Sequence, residues 1–336
     1  MEARRRNHPI ALIPALAAAL LLAASSCKDR KAEPPTAQAI PSEQAPDFDE
    51  VAPPDRDDPS EQFEYGITGT ELYPYAGKMD VTNRYLSAVV VTTTANQGAS
   101  DCSGVLVSPR LVLTAASCLC QPRKTSPSPG ETESFLIDGS NCAGRAAVTT
   151  MHYGEVLDTE YPEGATQKLP HRYDGEFRPH PEFTLTVNAR GAARTGHADL
   201  GVIVLDEPVK DVRPEALLQQ GEVQAGEFLM MSGYGSDGTP HEQGGLYGVR
   251  YFRKNKVTRV LPPEDGRILY EQQAPYLYDG FAGGPCFREQ GARRWLVGIA
   301  SRGSDEELAF TSVSSFRHWL RSEFHRAAKA PLASQP

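Results

Sequence analysis

Apolar residues in this chain come in short runs. Leu86–Thr92, Gly104–Val107, Leu111–Ala115, Gly201–Leu205, Phe228–Ser232 and Trp295–Ala300 are rich in Val, Leu and Ile, and Gly and Pro clusters separate them. Their lengths suit strands. A helical spacing occurs only near the end, from Val313 to about Ala328, where Phe316, Leu320 and Phe324 fall four apart and Arg317, Arg321 and Arg326 lie elsewhere on the turn. Many spaced strands followed by one helix predict an all-β, barrel-type protein with a C-terminal α-helix.

The N-terminal region has a different character. Arg4, Arg5 and Arg6 precede an apolar run, Ile10–Ala24, that is short for a membrane span and ends in small residues at Cys27. This layout resembles a bacterial lipoprotein signal, with residues 1–26 removed and Cys27 acylated, although Ala24 replaces the Leu usual three positions before the Cys. An ordinary secretory signal is the plainer alternative. Residues 27–62 carry Pro34, Pro35, Pro41, Pro46, Pro53, Pro54 and Pro59 among Ala, Glu and Asp. Such a segment has too little apolar surface to offset its ordering entropy and is expected to be an extended tether. Residues 63–328 then form the folded domain and 329–336 a tail. The formal net charge of −9 argues against a nucleic-acid partner and against broad contact with anionic lipid. Membrane attachment is expected through the lipid alone, in the cell envelope.

Four segments, in order, resemble landmarks of the trypsin/chymotrypsin family. Cys102-Ser103-Gly104 through Thr114-Ala115-Ala116-Ser117-Cys118 is similar to the catalytic-histidine block, and His197-Ala198-Asp199-Leu200 to the start of the strand that carries the triad aspartate. Ser232-Gly233-Tyr234-Gly235 resembles a conserved turn. Gly280-Phe281-Ala282-Gly283-Gly284-Pro285, followed by Leu296–Ser301, resembles the nucleophile block and the cleft strand. Ile67-Thr68-Gly69-Thr70 sits where the mature N-terminus would fall, and Arg178–Pro181 precedes the aspartate block. The resemblance implies two packed six-stranded antiparallel barrels with a cleft between them.

The chemistry departs from the family. Hydrolysis on such a scaffold needs a hydroxyl nucleophile, an imidazole base and a carboxylate that orients it. Ser117 stands at the imidazole position and Ala282 at the nucleophile position, so only Asp199 is retained. The backbone of Gly280 and Ala282 is what remains of an oxyanion hole. Phe281 replaces the aspartate that anchors a freshly cut N-terminus, with Asp279 a poor stand-in, and Gly66 precedes Ile67 where Lys or Arg is usual. His180, His197 and His241 are read as surface histidines, and Ser117 is expected to hydrogen-bond Asp199. The expectation is a catalytically inactive homologue with no cofactor and no metal.

Tyr276 lies at the specificity-pocket position and removes any countercharge for a basic side chain, while Ser301, Arg302 and Gly303 match the segment that pairs with a substrate strand. A protein or peptide ligand in the former cleft is therefore expected. The resemblance also implies a Cys102–Cys118 bridge. Cys120 and Cys142 bracket a Pro- and Ser-rich insertion and are expected to close it, leaving Cys286 over. The competing functions are a peptidase or esterase with a non-standard site, and a purely structural envelope lipoprotein.

Overall fold

The computed structural model describes residues 78–93, 102–127, 132–155, 166–218, 221–234, 249–271, 281–304 and 307–331. Cys27, the tether, Ile67–Thr70, Gly235, His241, Tyr276, Asp279 and Gly280 lie outside them.

Two six-stranded antiparallel barrels and one C-terminal helix make up the fold. The first barrel closes in the order β11 (Gly201–Leu205), β4 (Leu111–Thr114), β3 (Cys102–Ser108), β2 (Ala88–Thr93), β7 (Arg145–Glu155) and β8 (Thr166–Pro179). The second runs β13 (Arg250–Val260), β12 (Phe228–Tyr234), β15 (Pro285–Gln290), β16 (Arg293–Ser301), β17 (Glu307–Ser312) and β14 (Arg267–Glu271), and pairing of β13 with β14 closes it. The two-residue β1 (Lys78–Met79) adds to the free edge of β13.

Burial on both faces explains why the strands read as apolar runs and not as alternations. In β11 every residue is buried. Ile203 and Leu205 point into the first barrel with Leu106 and Val112, whereas Val202 and Val204 join Val105, Leu111 and Leu113 in a second cluster. That second cluster also takes Phe287, Leu296 and Ile299 from the second barrel and Phe316 and Leu320 from the C-terminal region. The outer face of β3, β4 and β11 is thus the interface between the barrels, and this fixes where the cleft opens.

The helix α1 is Arg317–Lys329, starting later than the spacing predicts. Ser312–Ser315 forms a hydroxyl-rich turn in which the Ser312 and Ser314 Oγ atoms are 2.9 Å apart. Short hydroxyl side chains compete with helix hydrogen bonding in this way. Leu320 and Ala327 face the inter-barrel cluster. Buried Glu323 accepts a hydrogen bond from Arg326 Nε at 2.6 Å.

A buried ion pair ties the segment before the first barrel to both barrels. Arg250 Nε donates to Asp80 Oδ2 at 2.6 Å, with both side chains fully buried. Arg250 Nη1 also donates to the Met151 carbonyl on β7 and to the Tyr234 hydroxyl on β12, at 2.8 and 3.0 Å. Asp80 in turn accepts the backbone N–H groups of Arg84 and Tyr85, each at 2.8 Å.

The insertion expected between Cys120 and Cys142 contains two strands, which join two later strands in a small accessory sheet. β5 (Arg123–Thr125), β6 (Ser134–Asp138), β9 (Thr184–Asn188) and β10 (Ala193–His197) form a four-stranded antiparallel sheet in the order β10-β9-β6-β5. Phe135, Ile137, Leu185, Val187 and Ala193 pack against the first barrel's core. The Cys120–Cys142 bridge closes the base of the β5–β6 insertion, and Cys102–Cys118 spans the β3–β4 hairpin.

Candidate functional site

After β4 the chain passes Ala115 into a short 3₁₀ turn, Ala116–Cys118, which buries Ser117. The bridge from Cys118 to Cys102 holds that turn against the barrel. Asp199 reaches the same place from the other side. Ala198 adopts φ +50°, uncommon for a residue with a Cβ. This breaks the strand alternation between His197 and Asp199, so the two side chains do not share a face as a continuous strand would require. His197 instead packs its ring 5.7 Å from that of Phe316 and lies 3.5 Å from Glu182. His180 is sandwiched edge-on by Phe316 and Trp319, and burial lowers its pKa.

Asp199 is buried, and hydroxyl and amide donors surround its carboxylate. Oδ1 accepts the Ser117 N–H at 2.7 Å, while Oδ2 accepts the Ser117 and Ser301 hydroxyls at 2.9 and 2.6 Å. The Thr311 hydroxyl donates to the Asp199 carbonyl at 3.1 Å. Burial raises the Asp199 pKa, and the hydrogen bonds from Ser301 and Ser117 and the charge of Arg302 offset part of that rise. The donors satisfy the carboxylate geometrically, but no imidazole is among them.

A stability prediction follows from the direction of that shift. Below the ordinary aspartate value of 3.8 the side chain is neutral in both folded and unfolded chains. As pH rises from there through the raised folded value, the unfolded chain releases its proton more readily and the folded state loses stability. Asp199→Asn keeps the shape without the charge, so its stability relative to wild type should rise across that window and then level off. Asp199→Ala should instead cost about 1–3 kcal/mol, because the Ser117 N–H is left buried without an acceptor. Thermal unfolding of the three proteins between pH 3.5 and 8 checks both. A wild type that gains on Asp199→Asn as pH rises would refute the sign.

Ala282 sits in a sharp turn beside this cluster. Its carbonyl accepts the Ser103 N–H at 2.8 Å and lies 3.5 Å from Cys118 Sγ. Gly283, at φ +83°, donates to the Ala300 carbonyl at 2.7 Å. A Cβ there would fall 2.1 Å from the Ser103 carbonyl and 2.3 Å from Thr114 Oγ1, so only glycine lets the turn press onto the first barrel. The methyl of Ala282 offers no proton and no lone pair. Phe281 is buried in the core of the second barrel with Cys286 and Val297. An apolar ring therefore holds the turn where the resemblance would place an ionic anchor. Cys286 is a free, fully buried thiol whose pKa burial pushes well up, and a buried protonated thiol is unreactive.

A family model for the trypsin-like peptidase domain matches residues 102–299, more than half of the chain. The chain belongs to that family. No curated protein matches it. Within the trypsin-like frame, the structure brings Ser117 and Ser301 together on Asp199, with the Ala282 carbonyl 3.5 Å from the adjacent Cys118 Sγ. Tyr276 and Gly280 lie outside the described residues.

Sequence reasoning placed Ser301 on the substrate edge and missed that its hydroxyl is the closest partner of Asp199. It also missed β9 and β10. The signal for β9 is the alternation Thr184-Leu185-Thr186-Val187, a period of two on a half-buried sheet. Gly303 is buried, and its carbonyl accepts the Ala193 N–H at 2.8 Å.

Proposed function

We propose that this trypsin-like chain no longer hydrolyses peptide bonds and acts as a lipid-anchored binding or regulatory module of the bacterial cell envelope. The observation that carries the reading is the company of Asp199. In an active triad the carboxylate orients an imidazole. Here the Ser117 and Ser301 hydroxyls occupy its Oδ2, and the neighbouring turn presents Ala282. Hydroxyls of ordinary acidity cannot take up a proton near neutral pH, and a methyl cannot attack a carbonyl. The ligand expected is a protein or peptide in the former cleft.

Turnover tests this reading. Purified protein should hydrolyse neither peptides nor activated esters above background and should resist a serine-directed phosphonate. Labelling would favour the alternative, a peptidase or esterase with a different nucleophile. The anchor has its own test. Wild type should enter the detergent phase on Triton X-114 partitioning, and Cys27→Ala should move the protein to the aqueous phase. Wild type found wholly in the aqueous phase would refute acylation.

A further inference from the structure

The segment Ser301–Gly303 is where a peptide strand would be expected to pair, yet this chain already fills part of it. The turn between β9 and β10 lies across it. Ala193 N–H reaches the Gly303 carbonyl at 2.8 Å, a bond outside the β9–β10 ladder. Gly191, at φ +80°, lies beside the Arg302 side chain, whose Nη1 would be 3.1 Å from a Cβ built there. The turn is firmly built. Asn188 is itself buried, and its Oδ1 accepts the N–H groups of Arg190 and Ala192 at 2.9 and 3.0 Å, while its N–H donates to the Ala192 carbonyl at 3.0 Å. Ala192 and Ala193 are almost fully buried, at 1% and 4% exposure.

We infer that the Asn188–Ala193 turn is a built-in occupant of the peptide-pairing edge. Gly303 is then a strand-pairing site for an extended peptide held through its main chain, and it opens only when this turn withdraws. Main-chain pairing at a sheet edge needs a free carbonyl, and here the Gly303 carbonyl is engaged in cis. A segment held by short connections competes at an effective concentration in the millimolar range. The affinity for an external peptide falls by the fraction of molecules in which the turn is out. This inference rests on the cleft being a ligand site and not on whether the chain hydrolyses anything.

The experiment measures binding of a capped, fluorescein-labelled tetra-alanine peptide to the full-length protein in detergent, by fluorescence anisotropy. Two variants are compared with wild type. Ala193→Pro removes the N–H that Gly303 accepts, at the first residue of a strand, where proline is tolerated. The second replaces residues 189–192 with Asn-Gly, a two-residue hairpin turn that withdraws the loop. Retention of the wild-type unfolding temperature within a few degrees identifies the variant to be read. The expected result is binding at least tenfold tighter in such a variant than in wild type, and a Gly303→Pro substitution added to it, which distorts the edge, abolishes the gain. Equal affinity in variant and wild type, including no binding by either, overturns the inference. Turnover plays no part in this readout, so discovery of hydrolysis would leave the inference standing, and failure of the peptide test would leave the catalytic reading untouched.

Discussion

Restoring the serine alone should yield nothing. Ala282→Ser returns a hydroxyl to the turn beside Ser117, but on the proposed reading no imidazole stands there to take its proton, and turnover should stay at background. Ser117→His alone should be equally silent for want of a nucleophile. Triad members act as a unit, and losing one costs about as much as losing several, on the order of 10⁶ in turnover. The double variant is the informative one. The Ser117 N–H and Oγ already approach the two carboxylate oxygens of Asp199 at 2.7 and 2.9 Å. An imidazole at that position would meet an acceptor in place. Ala282→Ser with Ser117→His should therefore raise hydrolysis of a small activated ester by about 10²-fold over background, the lower range of general-base contributions. The rate should climb with pH as the imidazole loses its proton, near pH 6–7. Peptide turnover should lag behind, because Ala193 engages the Gly303 carbonyl and Phe281 replaces the ionic anchor of the turn. Activity in the unmodified protein, or activity that survives alanine at both Ser117 and Asp199, would show another nucleophile at work.

Arg250→Met should be among the most destabilising single changes. It leaves Asp80 buried without its cation and removes donors from the Met151 carbonyl and the Tyr234 hydroxyl. Breaking one side of a buried ion pair costs about 3–5 kcal/mol. Adding Asp80→Asn should recover part of that loss, because the neutral amide strands no charge and its one oxygen still accepts one of the two backbone N–H groups that Asp80 binds, although its NH2 cannot accept the other. Denaturant unfolding of the single and double variants measures both effects. A single variant within about 1 kcal/mol of wild type, a loss typical of an unremarkable substitution, would mean the pair is not the clamp its burial implies. The consequence reaches the cleft, because the same guanidinium bridges β7 of one barrel and β12 of the other.

Much of the fold was legible because the strands that build the barrel interface are buried on both faces and so leave continuous apolar runs. Gly201–Leu205 was read with its observed boundaries for that reason. That Ser117 and Ala282 stand at the positions the resemblance assigns was read from the sequence alone, since a residue type at a landmark position needs no coordinates. The accessory sheet was not, because β5, β6, β9 and β10 are short, partly exposed and interrupted by turn residues. Their pairing joins segments about fifty residues apart, with Phe135 opposite Val187. The helix start was misplaced because Ser312–Ser315 satisfies its polar groups locally. What the sequence by itself determined was which residue types stand at the positions the resemblance marks and the order of those landmarks, since both are properties of identity along the chain. What only the tertiary structure decided was the company those residues keep. A left-handed Ala198 turns His197 away from Asp199, Ser301 closes on the carboxylate, and Ala193 claims the Gly303 carbonyl. The last two are contacts between segments remote in sequence, set by how the barrels and the accessory sheet pack.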